Sequence, residues 1–154
     1  MADTQPGDIH GGSGIRAKIR IDFKGMAKPG RFFFGGKPVE RIAEEAREQH
    51  VSVFRNIPIQ GLRILDIDIG MEVYTYIDEA SNTEIAYAPV ILDVSADSLE
   101  DLLKLIIRDD FRKIEIISPP ELNMDRIGIE RLLFRIAEEN KNYRIYLERK
   151  LNLK

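Results

Sequence analysis

The chain has no cysteine and no tryptophan, and it has only two histidines, His10 and His50. Without cysteine it cannot form disulfides, bind zinc through thiolates or use a thiol nucleophile. No apolar run approaches the roughly 18 residues that a membrane span requires. The start of the chain has neither a basic segment nor an apolar core, so it does not resemble a secretory signal. We therefore predict a cytoplasmic protein without a transmembrane segment.

Neither histidine neighbours an obvious nucleophile. His10 falls in a Gly-, Pro- and Ser-rich start, and we expect His50 at a helix end, where a cation favours the helix dipole. With no nucleophile–base pair in the pattern, we predict no catalytic residue and no cofactor. Residues 1–14 are expected to be a flexible tail, and residues 15–154 a single α+β domain.

Alternation of apolar and polar residues predicts the strands. Residues 15–23 alternate with a basic solvent face, and residues 62–77 alternate as one long strand that forms a hairpin with residues 84–94. Pro89 should push the second of these toward an edge or a bulge. The remaining predicted strands are short: residues 51–54, 113–118 and 143–147.

Helical spacing of apolar residues predicts three helices, over residues 38–50, 98–107 and about 125–140. Strands with one solvated face favour a mixed or mostly antiparallel sheet with helices on one face. The predicted fold class is therefore α+β, with a ferredoxin-like plait carrying additions as the specific candidate.

Charge is unevenly distributed along the chain. The net formal charge is −3, yet residues 15–37 sum to +6 and residues 60–110 sum to −9. Such a separation can guide anionic partners or a second copy of the chain. Contacts of this kind should weaken as salt concentration rises.

The most unusual segment combines cations with three consecutive phenylalanines before the first helix. Three adjacent aromatics cannot all point inward on a strand, so a partner or solvent should meet at least one of them. They could stack on unpaired bases, dip into an anionic membrane surface, contact a protein, or simply join the core. The candidate residues for binding a protein partner or nucleic acid are Arg16, Lys18, Arg20, Lys28, Arg31, Phe32, Phe33, Phe34 and Lys37.

Three carboxylates, Asp66, Asp68 and Glu72, fall on one face of the predicted long strand. Oxygen-rich groups of this kind can hold Mg²⁺ or Ca²⁺, whereas alternating acids are also typical of any solvated strand face. We predict no metal site and keep these three as the candidates should there be one.

Two further patterns resemble known families. Arg16-x-x-x-Arg20 with a later Asp93-x-Ser95 resembles the pattern of dinucleotide-sensing PilZ domains, but Ser98 stands at the expected glycine and the two halves are far apart in the chain. We therefore expect no dinucleotide site.

The stretch RIAEEAREQHVSVFRNIPIQ, followed by DIGMEV, resembles part of the cytoplasmic domain of the flagellar and type III export switch protein. The self-cleaving Asn-Pro-Thr-His tetrapeptide of that family is absent, and Arg63 stands where the family has an apolar residue. The resemblance, over about residues 41–73, implies docking within an export assembly without self-cleavage. The matching positions are Arg41, Ile42, Ala46, Glu48, Val51, Val53, Pro58, Gly70 and Glu72.

These patterns favour a non-enzymatic protein-interaction or regulatory module that acts within a larger assembly, with a protein partner or self-association. The first alternative is single-stranded nucleic-acid binding through segment 16–37. The second is a small metal-dependent enzyme that uses the acidic residues.

Overall fold

A computed structural model describes residues 14–27 and 38–152. This part of the chain forms five strands and three helices. In chain order they are β1 (Ile15–Met26), α1 (Val39–Asn56), β2 (Leu62–Asp68), β3 (Tyr74–Asp78), β4 (Thr83–Ala96), α2 (Leu99–Ile106), β5 (Phe111–Ser118) and α3 (Arg126–Asn152).

The five strands form one antiparallel sheet. Its order is β2-β4-β1-β5, and β3 pairs with the part of β4 that β2 leaves free. With β3 set aside, the order βαββαβ is the split arrangement of a ferredoxin-like plait. The predicted α+β class and antiparallel sheet are confirmed, with β3 and α3 as additions.

The core lies between one sheet face and the helices α1 and α2. Alternate residues of β1 (Ile15, Ala17, Ile19, Ile21 and Phe23) are at most 5% exposed. They pack with buried side chains of β4, with Phe54 of α1, and with Leu102 and Leu105 of α2. The prediction that helices cover one face holds for α1 and α2 because both bury their apolar stripes against the same side of β1 and β4.

The predicted strand over residues 51–54 is wrong, since α1 continues without a break to Asn56. Val51 and Phe54 extend the buried stripe that begins with Val39 and Ala43. Their spacing of three and four residues places them on the same helix face, and burial of that face outweighs the β preference of Val and Phe.

Residues 62–77 form two strands rather than one. β2 ends at Asp68, and β3 begins at Tyr74. The pairing of β2 with β4 also shifts register between Ile64 and Asp66, which leaves Leu65 52% exposed. A shift of one residue exchanges the two faces of a strand, so the alternation predicted from the sequence does not persist past this bulge. The predicted hairpin is confirmed for β3 and β4.

Pro89 lies within β4, opposite Asp22 of β1. On the other edge of β4, the pairing with β2 ends at Ile91 and the pairing with β3 begins at Tyr87, so Pro89 falls in the gap between them. There Arg47 of α1 donates Nη1 to the carbonyl oxygens of Pro89 (3.2 Å) and Met71 (3.3 Å). Proline therefore occupies a local edge inside a central strand, as its missing N–H requires.

α3 is a single helix of 27 residues, and the predicted strand over residues 143–147 is wrong. Helical spacing continues through Tyr143 and Leu147, so the polar stretch at 138–142 does not interrupt the helix. α3 packs on α2, and none of its residues is buried. In the part of the chain that is described, no helix is long and apolar enough to cross a membrane.

Candidate functional site

The face of the sheet opposite α1 and α2, here called the polar face, carries the predicted cations of β1. Arg16, Lys18, Arg20 and Lys24 alternate with the core residues and have exposed or half-exposed side chains. The other predicted binding residues, from Lys28 to Lys37, lie outside the described residues. They are Lys28, Arg31, Phe32, Phe33, Phe34 and Lys37.

Arg16 binds Asp93 across the β1–β4 pair. Its Nε and Nη2 donate to the two carboxylate oxygens at 3.1 and 2.9 Å. The hydrogen bonds and charge of Arg16 hold the pKa of Asp93 below its ordinary value. The two residues are 77 positions apart in the chain, yet they are in direct contact. Their separation in the sequence was therefore not a valid reason to dismiss the pattern. Two of the five N–H donors of Arg16 are engaged by Asp93 in this geometry.

Asp22 is the centre of a second cluster and is only 1% exposed, although alternation predicted it on a solvated face. Arg20 donates to both of its oxygens at 2.9 and 3.2 Å, and the hydroxyl of Tyr74 donates at 2.5 Å. Nε of Arg112 lies 3.5 Å from the same carboxylate. Burial and the hydrogen bond to Asp22 raise the pKa of Tyr74. Two guanidinium groups and a phenol thus compensate the desolvation of one carboxylate.

Three tyrosines stack beside this cluster. The ring centroids of Tyr74 and Tyr76 lie 5.4 and 5.9 Å from that of Tyr87, and the guanidinium of Arg112 lies 4.9 Å from the Tyr87 ring centroid. Tyr74 is 39% exposed and Tyr76 is 48% exposed, whereas Tyr87 is buried. The group therefore presents two accessible aromatic rings next to cations.

The alternation over residues 62–77 does not connect Tyr74 and Tyr76 with Asp22, Tyr87 or Arg112. The alternation of β1 carried one usable signal, since Asp22 is the single acid among its cations. Its partners on other strands come from β3 and β5, and the alternation does not contain the order of the strands.

The candidate metal ligands do not converge. Asp66 and Asp68 lie on β2, but Glu72 follows the end of that strand, so the three do not share a strand face as predicted. Asp68 instead accepts a hydrogen bond from the backbone N–H of Gly70 at 2.8 Å. Among residues 14–27 and 38–152, no group of three or more His, Asp or Glu side chains could hold a metal ion.

His50 lies inside α1, not at its end. Its ring stacks on Phe23 with centroids 4.3 Å apart, and Nδ1 is 2.8 Å from the carbonyl oxygen of Ala46. The predicted role at a helix terminus is therefore wrong, because α1 continues for six more residues. The ring serves as part of the packing between α1 and β1.

A shallow groove of about 260 Å³ lies between α1 and the chain that follows β2. Arg47, Glu48, Ser52 and Arg55 of α1 line it, with Ile69 on the opposite side. Oγ of Ser52 in this groove accepts a hydrogen bond from Nδ2 of Asn56 at 3.2 Å.

α3 forms the second notable surface. Its half-buried positions, which include Leu132, Glu139 and Tyr143, mark the side that faces the rest of the chain. Burial raises the pKa of the Tyr143 phenol, and the nearby Asp109 carboxylate adds to that effect. Eight large apolar side chains of α3 are at least 36% exposed: Ile127, Ile129, Leu133, Phe134, Ile136, Ile145, Tyr146 and Leu151.

No family model, curated protein or solved structure matches the chain.

Proposed function

We propose that the chain is a non-enzymatic protein-interaction or regulatory module that acts within a larger assembly and docks through α3. One observation carries this proposal: a helix of 27 residues has no buried residue and exposes eight large apolar side chains. Three of these side chains, Ile129, Leu133 and Ile136, follow at helical spacing and share one side of the helix, and an exposed apolar patch of this kind is typical of an interaction site. The ion pairs and tyrosine stack of the polar face give that face a structural role in the sheet.

The energetics support a partner for α3. Most helix stability in proteins comes from packing of an apolar face, not from intrinsic helix preference. Full burial of an exposed Leu or Ile contributes about 1.5–3 kcal/mol, and because these eight side chains are 36–65% exposed, covering each of them adds about half of that. A partner that covers this helix would therefore bind with a substantial hydrophobic contribution.

Photocrosslinking in the native host tests this function. A benzophenone amino acid at Leu133 or Tyr146 of α3 should give covalent adducts, either with a second copy or with another protein. The same residue at Arg41, whose side chain is 70% exposed on α1, is the matched control and should give none. Absence of adducts at both α3 positions, or equal labelling at Arg41, would contradict the proposal.

Single-stranded nucleic-acid binding by the polar face is the second candidate. Exposed rings of Tyr74 and Tyr76 lie next to Lys24, which is opposite Tyr87 in the sheet. Aromatic faces can stack on bases while cations meet phosphates. The acids Asp22 and Asp93 already neutralise part of the charge of this face, which is why we rank it second.

Salt-dependent binding of a short labelled single strand tests this candidate. Replacement of Lys18 and Lys24 by Gln should lower the slope of log affinity against log salt by about 1.4, because each phosphate contact contributes about 0.7. Tyr76→Ala should weaken binding without a change in slope. Arg41→Gln, which removes one exposed charge on α1, is the control and should leave the slope unchanged; identical behaviour of all variants would exclude the polar face.

The assembly and the cellular location belong to the same proposal. We propose a cytoplasmic location, in keeping with a chain that has no cysteine. If the resemblance over residues 41–73 reflects kinship, the assembly is an export apparatus, and the chain takes part in it without self-cleavage.

A further inference from the structure

We propose that α3 pairs with α3 of a second copy of this chain as a parallel, two-stranded coiled coil. This inference rests on the proposed function, because it names the partner that α3 docks against. It starts from a row of residues, here called the seam, along one side of the helix. The seam consists of Ile129, Leu133, Ile136, Asn140, Tyr143 and Leu147.

The seam has the spacing of a coiled coil. Successive members are four, three, four, three and four residues apart, which is the alternation of two core positions in a seven-residue repeat. Its first half is accessible in the single chain: Ile129 is 45%, Leu133 60% and Ile136 39% exposed. Tyr143 and Leu147 are half-buried, so the second half of the seam lies at the border of the side of α3 that faces the rest of the chain.

Asn140 favours an identical helix as the partner. This residue is exposed and lies in the middle of an otherwise mainly apolar seam. Against an apolar partner, its amide would be buried without a hydrogen-bond partner, at a cost. In a parallel pair of identical helices Asn140 meets Asn140, and the two amides can hydrogen-bond each other. A single buried Asn at this kind of position sets both register and the number of strands.

Charges beside the seam complement each other in the same arrangement. Glu139 directly precedes the seam residue Asn140, and Arg144 directly follows the seam residue Tyr143. In a parallel pair, Glu139 of one helix therefore lies next to Arg144 of the other. Arg144 is exposed, and Glu139 has its carboxylate 3.3 Å from Nε of Arg135 in its own helix. Glu139 would then lie between two arginines, whereas a partner helix with an acid in place of Arg144 would be repelled.

The mass of the full chain in solution tests the pairing. We expect twice the single-chain mass of 17.7 kDa by light scattering after size exclusion. Leu133→Asp should raise the dissociation constant by at least about 100-fold, since two buried leucines are lost per pair. Phe134→Asp is the matched control, because Phe134 is 65% exposed but lies outside the seam, and it should leave the pair intact.

A cysteine scan tests the parallel register and does not depend on the folding of the Asp variants. The chain has no cysteine, so Asn140→Cys introduces a single thiol. Mild oxidation should then link two chains through position 140, whereas Phe134→Cys should stay unlinked. Linking at position 134 and not at 140 would overturn the inference.

The outcomes separate this inference from the proposed function. A single-chain mass at all concentrations, together with photocrosslinks from α3 to another protein, would overturn self-pairing and leave the proposed function in place. A single-chain mass without any α3 crosslink would overturn both. A pair that Leu133→Asp does not dissociate would show that the contact lies elsewhere.

Discussion

Asp22 shows how one buried carboxylate can join three strands. Replacement by Ala would leave Arg20 and Arg112 without their shared anion at a site that is 1% exposed. We expect a loss of about 3 kcal/mol, the low end for a broken buried ion pair, because both arginines remain partly hydrated. Urea unfolding measures this loss in the free energy of unfolding. Tyr74→Phe removes only one hydrogen bond and should cost about 1.5 kcal/mol; equal effects of the two changes would contradict this account.

The Arg16–Asp93 pair should make stability depend on pH. Because the folded pKa of Asp93 lies below its ordinary value, the folded state binds fewer protons than the unfolded state as acid is added. The stabilisation is present above the unfolded pKa and is lost as pH falls through the folded value. We expect the urea midpoint of Arg16→Met to fall less than that of the wild type between neutral pH and about pH 3.

Arg41→Met is the control for this titration, since Arg41 is exposed and its Nε is 3.9 Å from the Glu45 carboxylate. Its acid profile should follow the wild type. An Arg16→Met profile as steep as that of the wild type would show that Asp93 is not the group responsible.

Individual residues were the hardest part to predict, for a physical reason. Alternation in β1 correctly placed Arg16, Lys18 and Arg20 on a polar face, because period-two spacing is a local property. The burial of Asp22 depends on Tyr74, which is 52 residues away, and on Arg112, which is on another strand. Such contacts follow from strand order, which local patterns do not encode.

Among the secondary-structure elements, α1 and β1 approach each other closely at Gly25. A Cβ added at Gly25 would lie 2.4 Å from the backbone N of Ala43 and the carbonyl O of Val39. Backbone atoms cannot yield as a side chain can, so Gly25→Ala must displace the start of α1. We expect a loss of about 2–3 kcal/mol in thermal or urea unfolding.

Gly70→Ala is the matched control for that substitution. The nearest atom to its added Cβ is Oδ1 of Asp68 at 3.1 Å, on a flexible exposed side chain. It should change stability by less than about 0.5 kcal/mol. If Gly25→Ala were equally mild, α1 would not be held as closely as the structure indicates.

The type of an element, helix or strand, was predictable where its apolar periodicity extended over many residues. The predicted ends of elements were wrong where the local residue preference opposed that periodicity. The Val-rich residues 51–54 suggested a strand, but burial of Val51 and Phe54 continues the stripe of α1. In α3, the polar stretch around Asn140 suggested an end, yet the helix continues to Asn152. β1, β5 and the β3–β4 hairpin were correctly predicted because strong alternation and turn residues marked them.

For the molecule as a whole, self-pairing predicts a melting temperature that depends on protein concentration. A tenfold increase in concentration should raise it by roughly 2–4 °C, since a partner that binds only the folded chain stabilises it by mass action. Calorimetry or circular dichroism over a hundredfold range of concentration measures this. Leu133→Asp should melt at one temperature throughout; a wild type that does the same would contradict pairing.

The length of α3 has a further consequence. Its 27 residues span about 40 Å, and parallel pairing places the two sheets at the same level along the paired helices. Two polar faces would then be held at a fixed separation. A partner with two recognised groups would bind the second face at an effective concentration in the millimolar range, so contacts that are weak singly would give high avidity together. Polymeric or clustered partners would thereby be preferred over single ones.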